Sequence, residues 1–540
     1  MLSLHSALSP RTAFLLLCGL TCTACLPLKD AADQVRLGQV DGPPGGNDGG
    51  LDGSADGGPV GCMDPGGFGG LGCSRCEATD TVSLENACSD VSCTPFDDRL
   101  RLGKLGADGT LPALPQLEAS LKAAAQIDAD AGSESDAGAP PPPPSAPACA
   151  DVTSSGKVVY VTGSSAAGPF LAKVAQQFAT QGTFLVYTST GSCVGVDAIV
   201  NGTPMKTGAA PAPAATATFW SSAASMGEPC LLPTEGVIAD LGISDVFAQT
   251  CTGFELTNLE TLKIRDAHGP IQTMAFVVPP NSPHGEISAQ AAYFVYGFGK
   301  DGSVLDAAGK APIWDDETQI LQRKASSGTQ AMLAAAIGVP PTRWRGKPHA
   351  SSDDVYASLR AAESDAALAS KTIGILAADY IDGKVSRAQV RMLAFRDSHQ
   401  TCAVYPDSND TAKDRRNVRD GHYPLWGPMH LLHRVDDNQL PANPMTRQQI
   451  SDVIGYLSGT KALPNGIKLI DLYASSGLVP ECAMHVTRSM DGGNITPSRP
   501  QSPCSCLFEI RATGSTDCAE CKVQGDCPSG TTCSQGYCEP

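Results

Sequence analysis

Four short stretches of this 540-residue chain combine hydroxyls and glycines with one arginine and two aspartates in a way that could hold an anion. They are Gly163-Ser164-Ser165-Ala166-Ala167-Gly168-Pro169, Ser189-Thr190-Gly191-Ser192, Ala239-Asp240-Leu241-Gly242-Ile243-Ser244-Asp245, and Arg323-Lys324-Ala325-Ser326-Ser327-Gly328-Thr329. The first, second and fourth each lead into a stretch with helical character. A helix start offers N–H groups without partners and a partial positive charge, so three of them aimed at one cleft could cradle a tetrahedral oxyanion. Hydroxyls would add donors, Gly328 would let the backbone come close, and Arg323 would supply a single full charge in a forked geometry. Each residue also has a plainer reading. Ser-Gly-Thr before an alanine-rich helix is most often an N-cap, Asp245 could cap the turn at Val246-Phe247, and an isolated arginine usually sits at the surface.

Other chemistry finds less support. His430 and His433 have the spacing of metal ligands on a helix, but Leu425 to Val435 reads as a strand, which would send the two side chains to opposite faces. No metal or cofactor is therefore expected, and no nucleophile–base or paired-carboxylate arrangement points to an enzyme. Lys and Arg total 38 against 56 Asp and Glu, a net charge of -18. That acidity argues against nucleic acid or an anionic membrane surface as a partner, so any anion site must be local.

The elements that would position these turns alternate strand with helix. Lys157 to Val161 is β-branched and apolar, and Pro169 suits the first turn of a helix in which Phe170, Leu171, Val174 and Phe178 recur at helical spacing. Phe184 to Tyr187 predicts a second strand, with Ser192 opening another short helix. Such units imply a parallel sheet with helices on its faces. Residues 203–225, rich in Ala, Pro and Thr, read as an excursion.

The ends differ in kind. Arg11 precedes a short apolar run through Leu20, the pattern of a secretory signal over residues 1–24 and too short to span a bilayer comfortably. Cys25 after Thr23-Ala24 is similar to a bacterial lipobox, which implies lipidation at Cys25 and anchoring in the periplasm or cell envelope; Cys22 stands where that motif usually has leucine. Residues 25–61 read as a flexible tether and 62–150 as a cysteine-containing segment closed by the proline run Pro140 to Pro144. With Cys149, the cysteines of that segment would number six. Residues 500–540 form a cysteine-dense tail, expected to be a disulfide knot rather than a zinc site. Of the 21 cysteines, setting aside Cys18, Cys22 and Cys25 leaves 18, an even count that suits disulfides in an oxidising compartment.

Taken in order, the four stretches resemble those of the phosphate-binding proteins of ABC importers. Asp240 to Asp245 is similar to that family's D-F-G-A-S-D segment, and Arg323 keeps its spacing of four residues before Ser327-Gly328-Thr329. The resemblance covers roughly residues 155–490. It implies an α/β, two-lobed periplasmic binding protein fold of type II-like form, with cysteine-rich, partly disordered extensions at both ends. Lobe one would take 155–277 and 396–490, and lobe two 278–395. It further implies a monomeric, non-enzymatic receptor for phosphate or a similar oxyanion that serves an ABC permease. The implied ligand-binding residues are Ser164, Ser165, Ala166, Ser192, Asp245, Arg323, Ser327, Gly328 and Thr329. Asp245 would select a ligand that carries a proton, such as hydrogen phosphate, over sulfate. Three departures stand against a complete site. Ala166-Ala167 replaces a threonine ligand, Ala325 replaces an orienting acid, and Cys193 sits where glycine is usual. A degenerate fold acting as a surface interaction or sensor protein is the alternative.

Overall fold

The computed structural model describes residues 62–116, 146–206, 216–222, 227–251 and 259–540. The signal segment, Cys25, the tether, the proline run and part of the 203–225 excursion lie outside them.

The core is α/β, built on one nine-stranded mixed sheet. The first half alternates strand and helix: β1 (Lys157–Gly163), α1 (Gly168–Thr180), β2 (Thr183–Ser189), α2 (Ser192–Val200), β3 (Thr216–Phe219), β4 (Glu228–Leu231) and β5 (Leu241–Ser244). β1 lies parallel to both β2 and β5. α1 takes Pro169 into its first turn and buries Phe170, Leu171, Val174, Ala175, Phe178 and Ala179 on one face, as the spacing predicts. Burying each of the two phenylalanines contributes about 1.5–3 kcal/mol. The excursion yields β3, antiparallel to β2, followed by β4 at the sheet edge.

A 15-residue strand, β6 (Ile264–Val278), joins the halves. Its first part pairs antiparallel with β10 (Trp426–Arg434), through to Thr273 opposite Trp426. From Met274 onward it pairs instead with β8 (Gly374–Ala377), and β9 (Arg391–Met392) joins its end. Within the second half, β7 (Leu321–Arg323) precedes α3 (Gly328–Ile337), and α5 (Ala378–Gly383) follows β8 directly. Between them, α4 spans Ser352–Ala362. The sheet order is β8-β6-β10-β5-β1-β2-β3-β4 with β9 alongside β6.

β6 thus passes from β10 to β8 at Thr273–Met274, inside a strand, and the Met274 N–H donates to the Leu425 carbonyl just before β10. Near residue 395, Ala394–Arg396 and Ala403–Val404 pair with each other in a separate four-stranded sheet.

That second sheet takes in part of the N-terminal cysteine-containing segment. Its outer strand is Cys93–Thr94, paired with Ala403–Val404, and Cys93 is bonded to Cys402. Arg101 is buried against Glu286, and Asp98 accepts from Ser288 and Arg396. Cys149 pairs with Cys230 at the edge of the main sheet, so the six N-terminal cysteines are not a closed set. The C-terminal piece is bound in as well: Cys482–Cys504 joins it to the core, and the backbone N–H of Cys506 donates to Glu539. Nine disulfides use all 18 cysteines beyond residue 61. Among the described residues, no helix is long and apolar enough to cross a membrane.

Candidate functional site

The starts of α1, α2 and α3 come together at the boundary between the halves. None of the three has a side-chain hydrogen bond from its N-cap residue: Ala167, Gly191 and Ser327 in turn. The plain N-cap reading of Ser327 therefore fails in the geometry, although the residue occupies the N-cap position. Gly191 takes φ of 111°, which favours glycine and turns β2 into α2. The Cys193 N–H then donates to the Ser326 carbonyl at 3.2 Å, tying the second turn to the fourth. The Cys193–Cys251 disulfide fixes the start of α2 to the segment just after Asp245.

Ser192, Asp245 and Gly328 are in direct contact. The Ser192 hydroxyl donates to Asp245 Oδ2 at 3.1 Å, and the Asp245 N–H donates back to that hydroxyl at 3.1 Å. A Cβ built on Gly328 would lie 2.2 Å from Ser192 Oγ and 2.9 Å from Asp245 Oδ2, so only glycine fits at that approach.

Arg323, at the end of β7, is buried and reaches across the boundary. Its guanidinium donates to Ser165 Oγ at 3.2 Å, to Ser352 Oγ at 2.8 Å and to the Ala350 carbonyl at 2.9 Å. All three of these acceptors are neutral. Ala325 leaves no carboxylate two residues on, and the Ser352 hydroxyl at the start of α4 takes over the orienting contact.

The first turn is partly occupied with itself. Ser164 Oγ accepts from the Ala166 and Ala167 N–H groups at 3.1 and 3.4 Å, and Tyr187 donates to the Ser164 carbonyl. These two N–H groups were expected to face the cleft, and Ser164 satisfies them. Thr329 and Ser327 are buried beside Gly328 at the start of α3. All nine sequence-derived positions thus fall in one region, with Ser164 and Ala166 in roles internal to their turn.

Two residues at the site escaped the sequence reading. Asp379, in the first turn of α5, is buried, within electrostatic reach of Asp245. Burial, reinforced by the charge of Asp245, pushes the Asp379 carboxyl up to about 8. Burial also raises Asp245, against the opposing pull of Ser164, Ser192, Arg323 and Gln272. Gln272, just before the crossover in β6, lies beside both carboxylates and favours the ionised form of each. Asp245 Oδ1, Asp379 Oδ1 and Thr273 Oγ1 are buried without a hydrogen bond. The signal for Asp379 was its place directly after an apolar strand, at the same end of the sheet as the turns. Nothing in its local sequence set it apart from a helix-starting acid.

No protein-family model matches the sequence, and no curated protein matches it. Solved structures do match. One is a Clostridium perfringens protein named as a phosphate ABC transporter substrate-binding protein with bound phosphate: 13% identity, 60% of this chain and 99% of that one, TM-score 0.38. An ABC-type phosphate transport receptor of Vibrio cholerae matches at 14% identity over 60% of this chain and 100% of that one, TM-score 0.35. The reduced OxyR regulatory domain of Pseudomonas aeruginosa matches at 9% identity over 55% and 94%, TM-score 0.29.

Proposed function

We propose that this chain is an exported binding protein that captures phosphate, or a related oxyanion able to carry a proton, between its two halves without transforming it. The carrying observation is the meeting of three helix starts, none capped by a side chain at its N-cap, around Arg323 and the buried pair Asp245 and Asp379. Aligned N–H groups and one guanidinium attract an anion. Asp245, buried with the neutral Asp379 carboxyl near it, selects against an anion that has no proton to give it. Monohydrogen or dihydrogen phosphate has such a proton; sulfate at neutral pH does not. The ligand enters by parting the halves, since Gly328 packs on Ser192 and Asp245, and the contact re-forms around it. The nine disulfides support export, lipidation of Cys25 would tether the receptor, and an ABC permease is the corresponding partner.

Calorimetric titration of the core with phosphate, sulfate and arsenate tests this reading. Phosphate and arsenate should bind and sulfate should not. In Asp245→Asn the amide can donate, so sulfate should gain relative to phosphate even where phosphate itself weakens. No heat and no thermal shift with millimolar phosphate would overturn the proposal.

One observation favours a second reading, a degenerate fold acting as an interaction or sensor protein. The Arg323 guanidinium already has neutral acceptors from both halves, and Ser164 already satisfies N–H groups of the first turn. Under that reading the contact is a permanent clasp, and all three anions fail in the titration.

A further inference from the structure

The antiparallel pair β6–β10 carries a second cluster of chemistry-bearing side chains, which neither the anion site nor the sequence motifs involve. His430 stands directly opposite His268 in the strand register, and Asp266 lies two residues before His268. Residues two apart on a strand share a face, as do directly paired residues on neighbouring strands, so the three side chains lie on one side of the sheet. One carboxylate oxygen of Asp266 and one ring nitrogen from each histidine all lie within 4.8 Å of one another. The two imidazoles meet edge to face, with centroids 5.0 Å apart and planes at 81°.

We propose that Asp266, His268 and His430 form a binding site for a divalent transition-metal ion of the zinc type. Two imidazoles and a carboxylate are the donor set that borderline cations prefer, and three protein ligands leave a coordination position for water or an outside ligand. Zinc bonds of about 2.0–2.2 Å require ligand atoms roughly 3–3.5 Å apart, a separation that small rotamer changes reach from the present spacing.

Two further observations point to a ligand here. His430 Nε2 and Asp266 Oδ1 are buried and make no hydrogen bond. An ordinary structural His–Asp pair is complete once its hydrogen bond is made, and this one is made, between His430 Nδ1 and Asp266 Oδ2 at 2.6 Å. That contact already holds two candidate ligand atoms together, so an ion bound there replaces the proton they share, and one further polar atom of each residue is left over. Phe247 closes the cluster on one side, its ring centroid 4.4 Å from that of His430. On the other side His268 opens onto a groove of ≈ 800 Å³ that also presents Glu481 and Arg488, so an ion has a route in and its open position has somewhere to face.

His430 and His433 have a spacing that suits metal only on a helix, and the strand they occupy parts them. The partners of His430 come instead from the neighbouring strand, 162 and 164 residues earlier in the chain.

The test is titration of the full exported protein, freed of metal with a chelator and with its disulfides intact, with zinc alone and separately with cobalt. The wild type should bind one equivalent of zinc, and cobalt should give the visible absorption of a low-coordinate nitrogen–oxygen site. His268→Gln, at the open edge of the cluster, should weaken zinc by at least tenfold and abolish the cobalt spectrum, while leaving the thermal midpoint of the metal-free protein unchanged. His485→Gln, whose ring pairs with Asp420 elsewhere, should bind as the wild type does. Absence of saturable zinc binding in the wild type overturns the proposal, as does stoichiometric binding that His268→Gln leaves intact. Phosphate titration is a separate readout, so failure of either site does not decide the other.

Discussion

Asp379 and Asp382 lie three residues apart on the same short helix, α5, and their environments drive them in opposite directions. Asp382 is met by two arginines. Arg387 donates to both of its carboxylate oxygens at 2.8 Å, and Arg415 reaches the same carboxylate and that of Asp407. Against the cost of burial, the Arg415 and Arg387 charges hold the Asp382 carboxyl well below the usual range. Burial, reinforced by the charge of Asp245 and only partly opposed by Arg415, pushes the Asp379 carboxyl up to about 8. Neighbours on one helix, the two carboxyls thus differ in kind: Asp382 belongs to a completed ionic network, and Asp379 is held neutral without a cation paired to it.

This contrast separates structure from function. Placing two arginines and two aspartates in the interior is tolerable only when each charge is paired, and the Arg387–Asp382–Arg415–Asp407 set meets that condition. Its task is to hold α5 to the segment around Arg415. The cleft has the reverse economy: three helix starts, one arginine on neutral acceptors and two carboxylates close together. Such an arrangement is poor as structure and useful for a ligand that brings charge and a proton.

The largest effect should come from breaking the completed side. Arg415→Met leaves Asp407 and Asp382 buried with only Arg387 between them. Removing one partner of a buried pair costs about 3–5 kcal/mol, which a urea unfolding midpoint will register. Anion affinity in whatever fraction remains folded should change little. A variant as stable as the wild type would mean that the network is not the clamp described above.

Arg323→Ala sharpens the comparison from the other side. Phosphate affinity should fall by about 2–5 kcal/mol, the cost of truncating one partner of a buried charged hydrogen bond. Stability should fall less than in Arg415→Met, because the Arg323 hydrogen bonds to Ser165, Ser352 and Ala350 go to neutral acceptors, although Asp245 loses the favourable pull of its charge. If the two arginines show the same balance of stability and binding loss, the distinction between them collapses.

Much of this was legible in sequence. Apolar periodicity and turn residues placed β1, α1, β2 and α2, because local spacing alone decides which face of each element is buried. The spacing from Arg323 to Ser327 marked the start of α3, and the even cysteine count matched complete pairing. What was not legible depends on contacts distant in sequence. Cys93 pairs with Cys402 because strand Cys93–Thr94 docks on Ala403–Val404, and no count of cysteines carries that information. Asp379 has its properties only because Asp245, 134 positions earlier, is folded against it.

The smallest effect, and the one that isolates that pairing, is in the pH dependence of stability. A carboxyl near 4 in the unfolded chain and pushed up to about 8 when folded keeps a proton that the unfolded chain has lost. Between roughly pH 4 and pH 8 the folded state therefore binds more protons, so raising the pH through that window lowers stability, by at most about 1.4 kcal/mol per unit for a single group. Below pH 4 both states are protonated, and above pH 8 both are ionised, so the contribution is flat at either end. The direction is opposite to that of Asp382, whose depressed carboxyl confers stability present above about pH 4 and lost as the pH falls through its folded value. Asp379→Asn should remove the downward slope between pH 4 and pH 8, with little change at pH 4 and below, where the carboxyl is neutral in both states. Phosphate bound between the halves should also reduce the slope in the wild type, since a ligand proton shared with the carboxylates replaces the one Asp379 must otherwise retain. Unfolding midpoints at several pH values, with and without phosphate, measure both effects. A slope that persists unchanged in Asp379→Asn would place the proton elsewhere and remove Asp379 from the site.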